Sequence, residues 1–186
     1  AAAVAADVFT TEGCQALVQG ALDAFGQVDI CIIGPGGEWD PQPIEVIDPT
    51  FALECIERET APIMHLMPLV LPGMFARGWG RLIGSGTHPV KLSPAYTYNA
   101  GKLARMQALL LAQDQAWGKG VTVNVIAPGP VDGIASFDAA AQLAAHGTAW
   151  QERKNVTPQD VSEGVAFLCS DAGDYVTGCT LPYLFH

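Results

Sequence analysis

The chain has 186 residues, 49% of them hydrophobic, with a mean hydropathy of +0.24; that supports a domain with a packed core and argues against disorder. A formal charge of −10, from 19 acidic and 9 basic residues, argues against a nucleic-acid or anionic-membrane partner, because phosphate binding needs basic patches. No apolar run approaches the roughly 20 residues of a membrane-spanning helix, and five scattered cysteines without a C-x-x-C suggest reduced thiols in a cytoplasmic protein, not a disulfide framework or zinc site.

The chain opens AAAVAADVFT, with neither Met nor the basic and long apolar segments of a signal peptide. AAAVAAD reads as a strand or strand end. TTEGCQALVQGALDAFG reads as a helix: Thr10 or Thr11 can cap it, Leu17, Ala21, Leu22 and Phe25 share a face, and Gly26 stops it. VDICII has the look of a strand buried on both faces, and GPGGEWDPQP that of a loop. From about Pro49 to Phe75 the pattern is helical, with Pro62, Pro68 and Pro72 expected to kink it. Met64, Met67 and Met74 are assigned to core or helix interfaces.

GRLIGSG is the next strand, and residues 95–118 a long helix. VTVNVIA is a strand and PGPVDG a turn. ASFDAAAQLAAHG suggests a small helix. In TPQDVSEGVAFLCSD, Thr157 and Asp160 fit a capping box and Pro158 stands at the first helical position. CTLPYLF is a last strand, demoted by Pro182 to an edge or strand end. Alternating helices and continuously apolar strands predict one α/β unit over residues 1–186, a doubly wound parallel sheet with its ligand site at the carboxyl ends of the strands. GPGG, SGT and PGPVDG all follow strands at that edge.

SGTHPVKLSPAYTYNAGK carries the chemistry. Tyr98 and Lys102 are four apart and share a helical face; Ser85 stands thirteen residues before Tyr98, at a strand end. A phenol, with its ordinary pKa of about 10, is a poor acid or base at neutral pH, and a nearby ammonium lowers that pKa. The tyrosine can then exchange a proton with an alcohol or carbonyl oxygen that the serine hydroxyl holds. Such chemistry suits carbonyl reduction or alcohol oxidation with a cofactor supplying the hydride. A solvated i, i+4 pair and a turn serine explain the same residues equally well. Tyr96 is a decoy, because four residues on it meets Ala100.

This combination resembles the short-chain dehydrogenase/reductase family, whose signature of Ser, twelve residues, Tyr, three residues and Lys falls on Ser85, Tyr98 and Lys102. FGQVDICIIGPGG resembles the segment ending in the family's Asn-Asn-Ala-Gly loop, and LPGMFARGWGRLIGSGT the strand into the catalytic serine. VNVIAPGPVDG resembles the Pro-Gly loop against nicotinamide, and TPQDVSEGVAFLCSDAGDYVTG the C-terminal helix. The resemblance covers about residues 7–181. It implies a Rossmann-like fold, an NAD or NADP cofactor and a small carbonyl or alcohol substrate. It implies Tyr98 as acid/base, Ser85 as the oxygen-positioning residue and Lys102 as a ribose ligand. It places Asp7, Gly34, Pro35, Gly36, Tyr98, Lys102, Pro128, Gly129 and Val131 along the cofactor, with residues 134–150 as a substrate lid. It also implies a homodimer or homotetramer.

The sequence departs from the family at several points. No strand with a T-G-x-x-x-G-x-G turn precedes AAAVAAD, which resembles the third strand, so the sheet is expected to be N-terminally truncated, without its first two strands. VDICII would then be an apolar edge; a piece of a longer chain is the expectation, an oligomer covering that edge the alternative. No Asn occurs before Asn99, and Glu59 occupies the family's proton-relay asparagine position. A glutamate there could pair with Lys102, hold a water, or keep the ammonium from Tyr98; an ordinary surface glutamate fits as well. Gly133 stands where Thr often contacts the carboxamide, and PYLFH replaces the usual Asp-Gly-Gly ending. Two rivals accompany the redox reading: a non-catalytic binding member of the family, and a halohydrin dehalogenase-like enzyme, which Lys102 in place of Arg disfavours.

Overall fold

The computed structural model describes residues 1–88, 95–129, 131 and 156–183. Its centre is a four-stranded parallel sheet of β1 (Ile30–Ile33), β2 (Gly80–Ser85), β3 (Val121–Ala127) and β4 (Thr180–Pro182), in that spatial order. Ile33 pairs with Gly84, Ser85 with Ile126 and Ala127 with Pro182, which aligns the carboxyl ends of the strands. Gly34, Ser85 and Pro128 therefore emerge at one edge.

Local signals explain the helices. In α1 (Thr11–Phe25), Thr10 Oγ1 accepts from the Gly13 N–H, and Gly26 closes the helix at φ 78°. In α2 (Pro49–Arg77), the Asp48 side chain caps the first turn and Gly78 ends the last at φ 69°. Pro62, Pro68 and Pro72 all lie inside this helix, which runs through them as one element. The last two are exposed on its outer face. The long helix expected over 95–118 divides into α3 (Tyr96–Leu110) and α4 (Gln113–Ala116). The division comes at a turn, where Ala112 N–H bonds back only three residues, to Leu109 O. In α5 (Pro158–Cys169) the capping box is complete: Thr157 Oγ1 accepts from Asp160 N–H and the Asp160 carboxylate from Thr157 N–H.

Alternation along the strands divides the core. Ile33, Leu82, Val121, Val123 and Val125 face α1, α2 and α3, whereas Ile83 and Ile126 pack against Leu168 and its neighbours on α5. Helices thus lie on both faces, as a doubly wound sheet requires. β1 departs from the expected double burial. Cys31 and Ile33 point into the core, but Ile30 and Ile32 are 41% and 55% exposed. The physical reason is reach: α5 packs on β2 and β3, and among the described residues no strand pairs with the outer edge of β1.

Other expectations are corrected as well. Residues 1–7 form no strand, and Ala1–Ala5 are exposed. In α1 the buried positions are Cys14 and Val18; Leu17 packs at their edge, but Leu22 is 39% and Phe25 63% exposed, because α2 covers the Cys14 side. Met74 is core, whereas Met64 is 52% exposed. β4 ends at Pro182, consistent with the reading of a strand end. The proposed lid, the helix over ASFDAAAQLAAHG, and Gly133 fall outside the described residues. All five cysteines are free, and burial raises their thiol pKa values, that of Cys31 to about 11. No helix among the described residues is long and apolar enough to cross a membrane.

Candidate active site

Ser85 ends β2, where its hydroxyl donates to Gly34 O at 3.1 Å and so joins two of the loops expected at the sheet edge. Tyr98 and Lys102 stand one turn apart on α3, with the Lys102 ammonium 5.3 Å from the centre of the Tyr98 ring. Trp39, from the loop after β1, meets Tyr98 edge-to-face with ring centroids 5.2 Å apart. The Tyr98 hydroxyl makes no hydrogen bond among the described residues. After β3, Pro128 and Gly129 are half-buried and Gly129 adopts a left-handed φ of 67°; Val131 forms a parallel bridge with Val156. The structure thus brings Gly34, Pro35, Gly36, Ser85, Tyr98, Lys102, Pro128 and Gly129 to the carboxyl edge of the sheet. Asp7 is different: it is exposed on the turn into α1, where its carboxylate accepts from Phe9 N–H at 3.0 Å.

Glu59 is not a surface residue. It is 1% exposed, on the α2 face that carries Cys55, Ile63 and Leu66. Its Oε1 lies 3.0 Å from Lys102 Nζ and accepts from Gly37 N–H at 2.9 Å; its Oε2 lies 3.2 Å from Arg105 Nη1. Arg105, fully buried, also donates to the carbonyls of Ile33 and Pro35, which ties the glycine loop to α3. A Cβ on Gly36 would overlap the Glu59 carboxylate, and one on Gly101 would stand 2.9 Å from Glu59 Cγ. The loop and α3 are glycine at those positions because Glu59 occupies the space.

The electrostatics run against the expectation from spacing. Tyr98 is pushed above the ordinary phenol value, first by burial and then by the Glu59 anion, with Arg105 opposing. Lys102 is lowered by burial, partly offset by Glu59. An isolated Tyr–Lys pair would depress the phenol; here the ammonium is engaged elsewhere. Arg105 and Trp39 escaped the sequence reading. Arg105 had a readable signal, since Tyr98, Lys102, Arg105 and Leu109 follow one helical stripe.

A family model described as enoyl-(acyl carrier protein) reductase matches residues 1–183. The nodulation protein G of Azospirillum brasilense is 30% identical over 179 residues, covering 94% of this chain and 72% of that protein. The chain belongs to the short-chain dehydrogenase/reductase family. The 3-oxoacyl-(acyl-carrier-protein) reductase of Vibrio cholerae is 27% identical over 182 residues, covering 96% of this chain and 74% of that protein. The solved structure of an NAD+-bound xylitol dehydrogenase superposes with a TM-score of 0.82 at 19% identity, over 98% of this chain and 78% of the other, and shows the shared Rossmann-like fold. Short-chain dehydrogenase/reductases are NAD(P)-dependent oxidoreductases, and the chain is an oxidoreductase of this kind.

Proposed function

We propose that the chain interconverts a carbonyl compound and a secondary alcohol, with Tyr98 exchanging the proton, Ser85 holding the substrate oxygen and Lys102 binding the nicotinamide ribose. The observation that supports this reading is that Ser85 bonds to Gly34 O, while Tyr98 and Lys102 stand one turn apart on α3, whose Arg105 holds the same loop through Pro35 O. In reduction, the Tyr98 hydroxyl donates its proton to the carbonyl oxygen; in oxidation, the phenolate takes it from the alcohol. Ser85 turns its hydroxyl from Gly34 O to the substrate oxygen as charge gathers there.

The residues at the sheet edge fit a flat ring. A Cβ on Gly34 would meet nothing within 4 Å, Pro35 is exposed, and Pro128 and Gly129 bring backbone without charge. When bound, NAD(P) supplies the hydride for reduction or accepts it in oxidation. Val131 would line the nicotinamide side and Asp7 the adenine side. The name of the Vibrio relative supports an acyl-type carbonyl substrate.

Because Tyr98 holds its proton more firmly than a free phenol, it enters at neutral pH as the acid, which suits reduction. Alcohol oxidation needs the phenolate, so its rate is expected to climb as pH rises toward the raised titration of Tyr98. Titration with NADH and NADPH, followed by nicotinamide fluorescence, should show saturable binding of at least one, weakened by Lys102→Met. Binding of neither would favour a second reading, a non-catalytic family member. One observation favours that reading: the Lys102 ammonium is already paired with Glu59.

Oligomerisation is common in the family, and we place it on the outer face of α2 and α3. There Met64, Met67, Pro68, Leu71 and Phe75 line an open apolar groove of about 880 Å³ with Leu111, suited to a second copy of this chain.

A further inference from the structure

Among the described residues, Glu59 is the only buried carboxylate, and it stands between two cations. Both oxygens are engaged: Oε1 by Lys102 and the Gly37 N–H, Oε2 by Arg105. Arg105 is fixed in turn by the carbonyls of Ile33 and Pro35. The carboxylate therefore cannot turn without breaking contacts to α3 and the glycine loop together. Lys102 Nζ lies 3.0 Å from this fixed anion but 5.3 Å from the centre of the Tyr98 ring. A charge–charge contact at hydrogen-bond distance outweighs a cation over a half-exposed ring.

We propose that Glu59 is a positioning residue: locked by Arg105, its carboxylate holds the Lys102 ammonium and keeps that charge from acting on the Tyr98 phenol. The charged groups around Tyr98 are consistent with this assignment. Glu59 comes from α2, and Lys102 and Arg105 come from α3. The loop that carries Trp39 adds Glu38 and Asp40, whose charges bear on Cys55. The end of β2 adds uncharged Ser85, and the buried His88 follows it. Of these, Glu59 raises the phenol and Arg105 lowers it. The inference deepens the proposed role of Tyr98, but it is read without turnover, so it can fail while the redox reading stands.

Ultraviolet titration of tyrosinate, wild type minus Tyr98→Phe, isolates Tyr98 from the other three tyrosines. The wild-type midpoint is expected above the ordinary phenol value of about 10. In Glu59→Gln, which keeps an acceptor for one of Gly37 and Arg105 but loses the charge, the midpoint should move to lower pH. Adding Lys102→Met to that variant should move it back up, because the freed ammonium is then gone. A midpoint unmoved or raised by Glu59→Gln would overturn the proposal. So would a double variant that titrates like Glu59→Gln alone. Should the Glu59 variants fail to fold, the wild-type midpoint decides alone: a value below that of free tyrosine would mean that Lys102 acts on Tyr98 directly.

Discussion

Tyr98→Phe is expected to lower turnover of a carbonyl or alcohol substrate by about 10²–10⁴-fold, the range that general acid–base catalysis contributes, with the fold intact. The structure explains both halves of that result. Tyr98 is half-buried, its hydroxyl has no hydrogen-bond partner among the described residues, and its ring meets Trp39 edge-to-face. Phenylalanine keeps the ring contact and leaves no buried donor or acceptor orphaned. Circular dichroism and the denaturation midpoint should therefore match wild type. Steady-state assay of nicotinamide absorbance checks the loss, and turnover within a few-fold of wild type would remove Tyr98 from the chemistry. Tyr96→Phe is the internal control: Tyr96 is 55% exposed and lacks a lysine one turn on.

Arg105→Ala is expected to be the most damaging single change to stability, at about 3–5 kcal/mol, the cost of breaking a buried ion pair by removing one partner. Its guanidinium is 0% exposed and joins Glu59 to the carbonyls of Ile33 and Pro35. Without it, a buried carboxylate keeps only Lys102 and the Gly37 N–H, and the carbonyls of Ile33 at the strand end and Pro35 in the loop lose this donor. Arg105→Lys should rescue this only in part, since an ammonium cannot reproduce the planar fork. Urea unfolding gives the number; a loss below about 1 kcal/mol, the range of an exposed pair, would contradict the bracing role.

Much of this fold was legible because its signals are local. The Thr157–Asp160 capping box, Gly26 and Gly78 after helices, and the apolar runs of β2 and β3 each depend on a few neighbouring residues. Tyr98 and Lys102 were legible as a spacing, because one helical turn turns that spacing into proximity, and Ser85 was legible as a strand end. What spacing could not supply was the partner of the ammonium. Glu59 and Arg105 are 46 residues apart, and each looks like an ordinary helix-surface charge by itself. Their common signal is that both stand in line with apolar residues on one helix face: Cys55, Glu59, Ile63 and Leu66 on α2, Arg105 and Leu109 on α3. Opposite charges in the buried stripes of two packed helices predict a buried pair. Residues 1–7 and β1 erred for another reason. Apolar composition marks a strand, but pairing and burial depend on neighbours that composition does not describe.

In the proposed reaction a proton passes through Tyr98 while a hydride moves between NAD(P) and carbon. Transfer of label from NADH or NADPH deuterated at the hydride-donating carbon, to a panel of carbonyl compounds that includes a 3-oxoacyl thioester, tests it most directly. Deuterium is expected at the carbinol carbon of the alcohol formed by the wild-type chain, and none above background with Tyr98→Phe. Unlabelled product, or labelling that survives Tyr98→Phe undiminished, would contradict it.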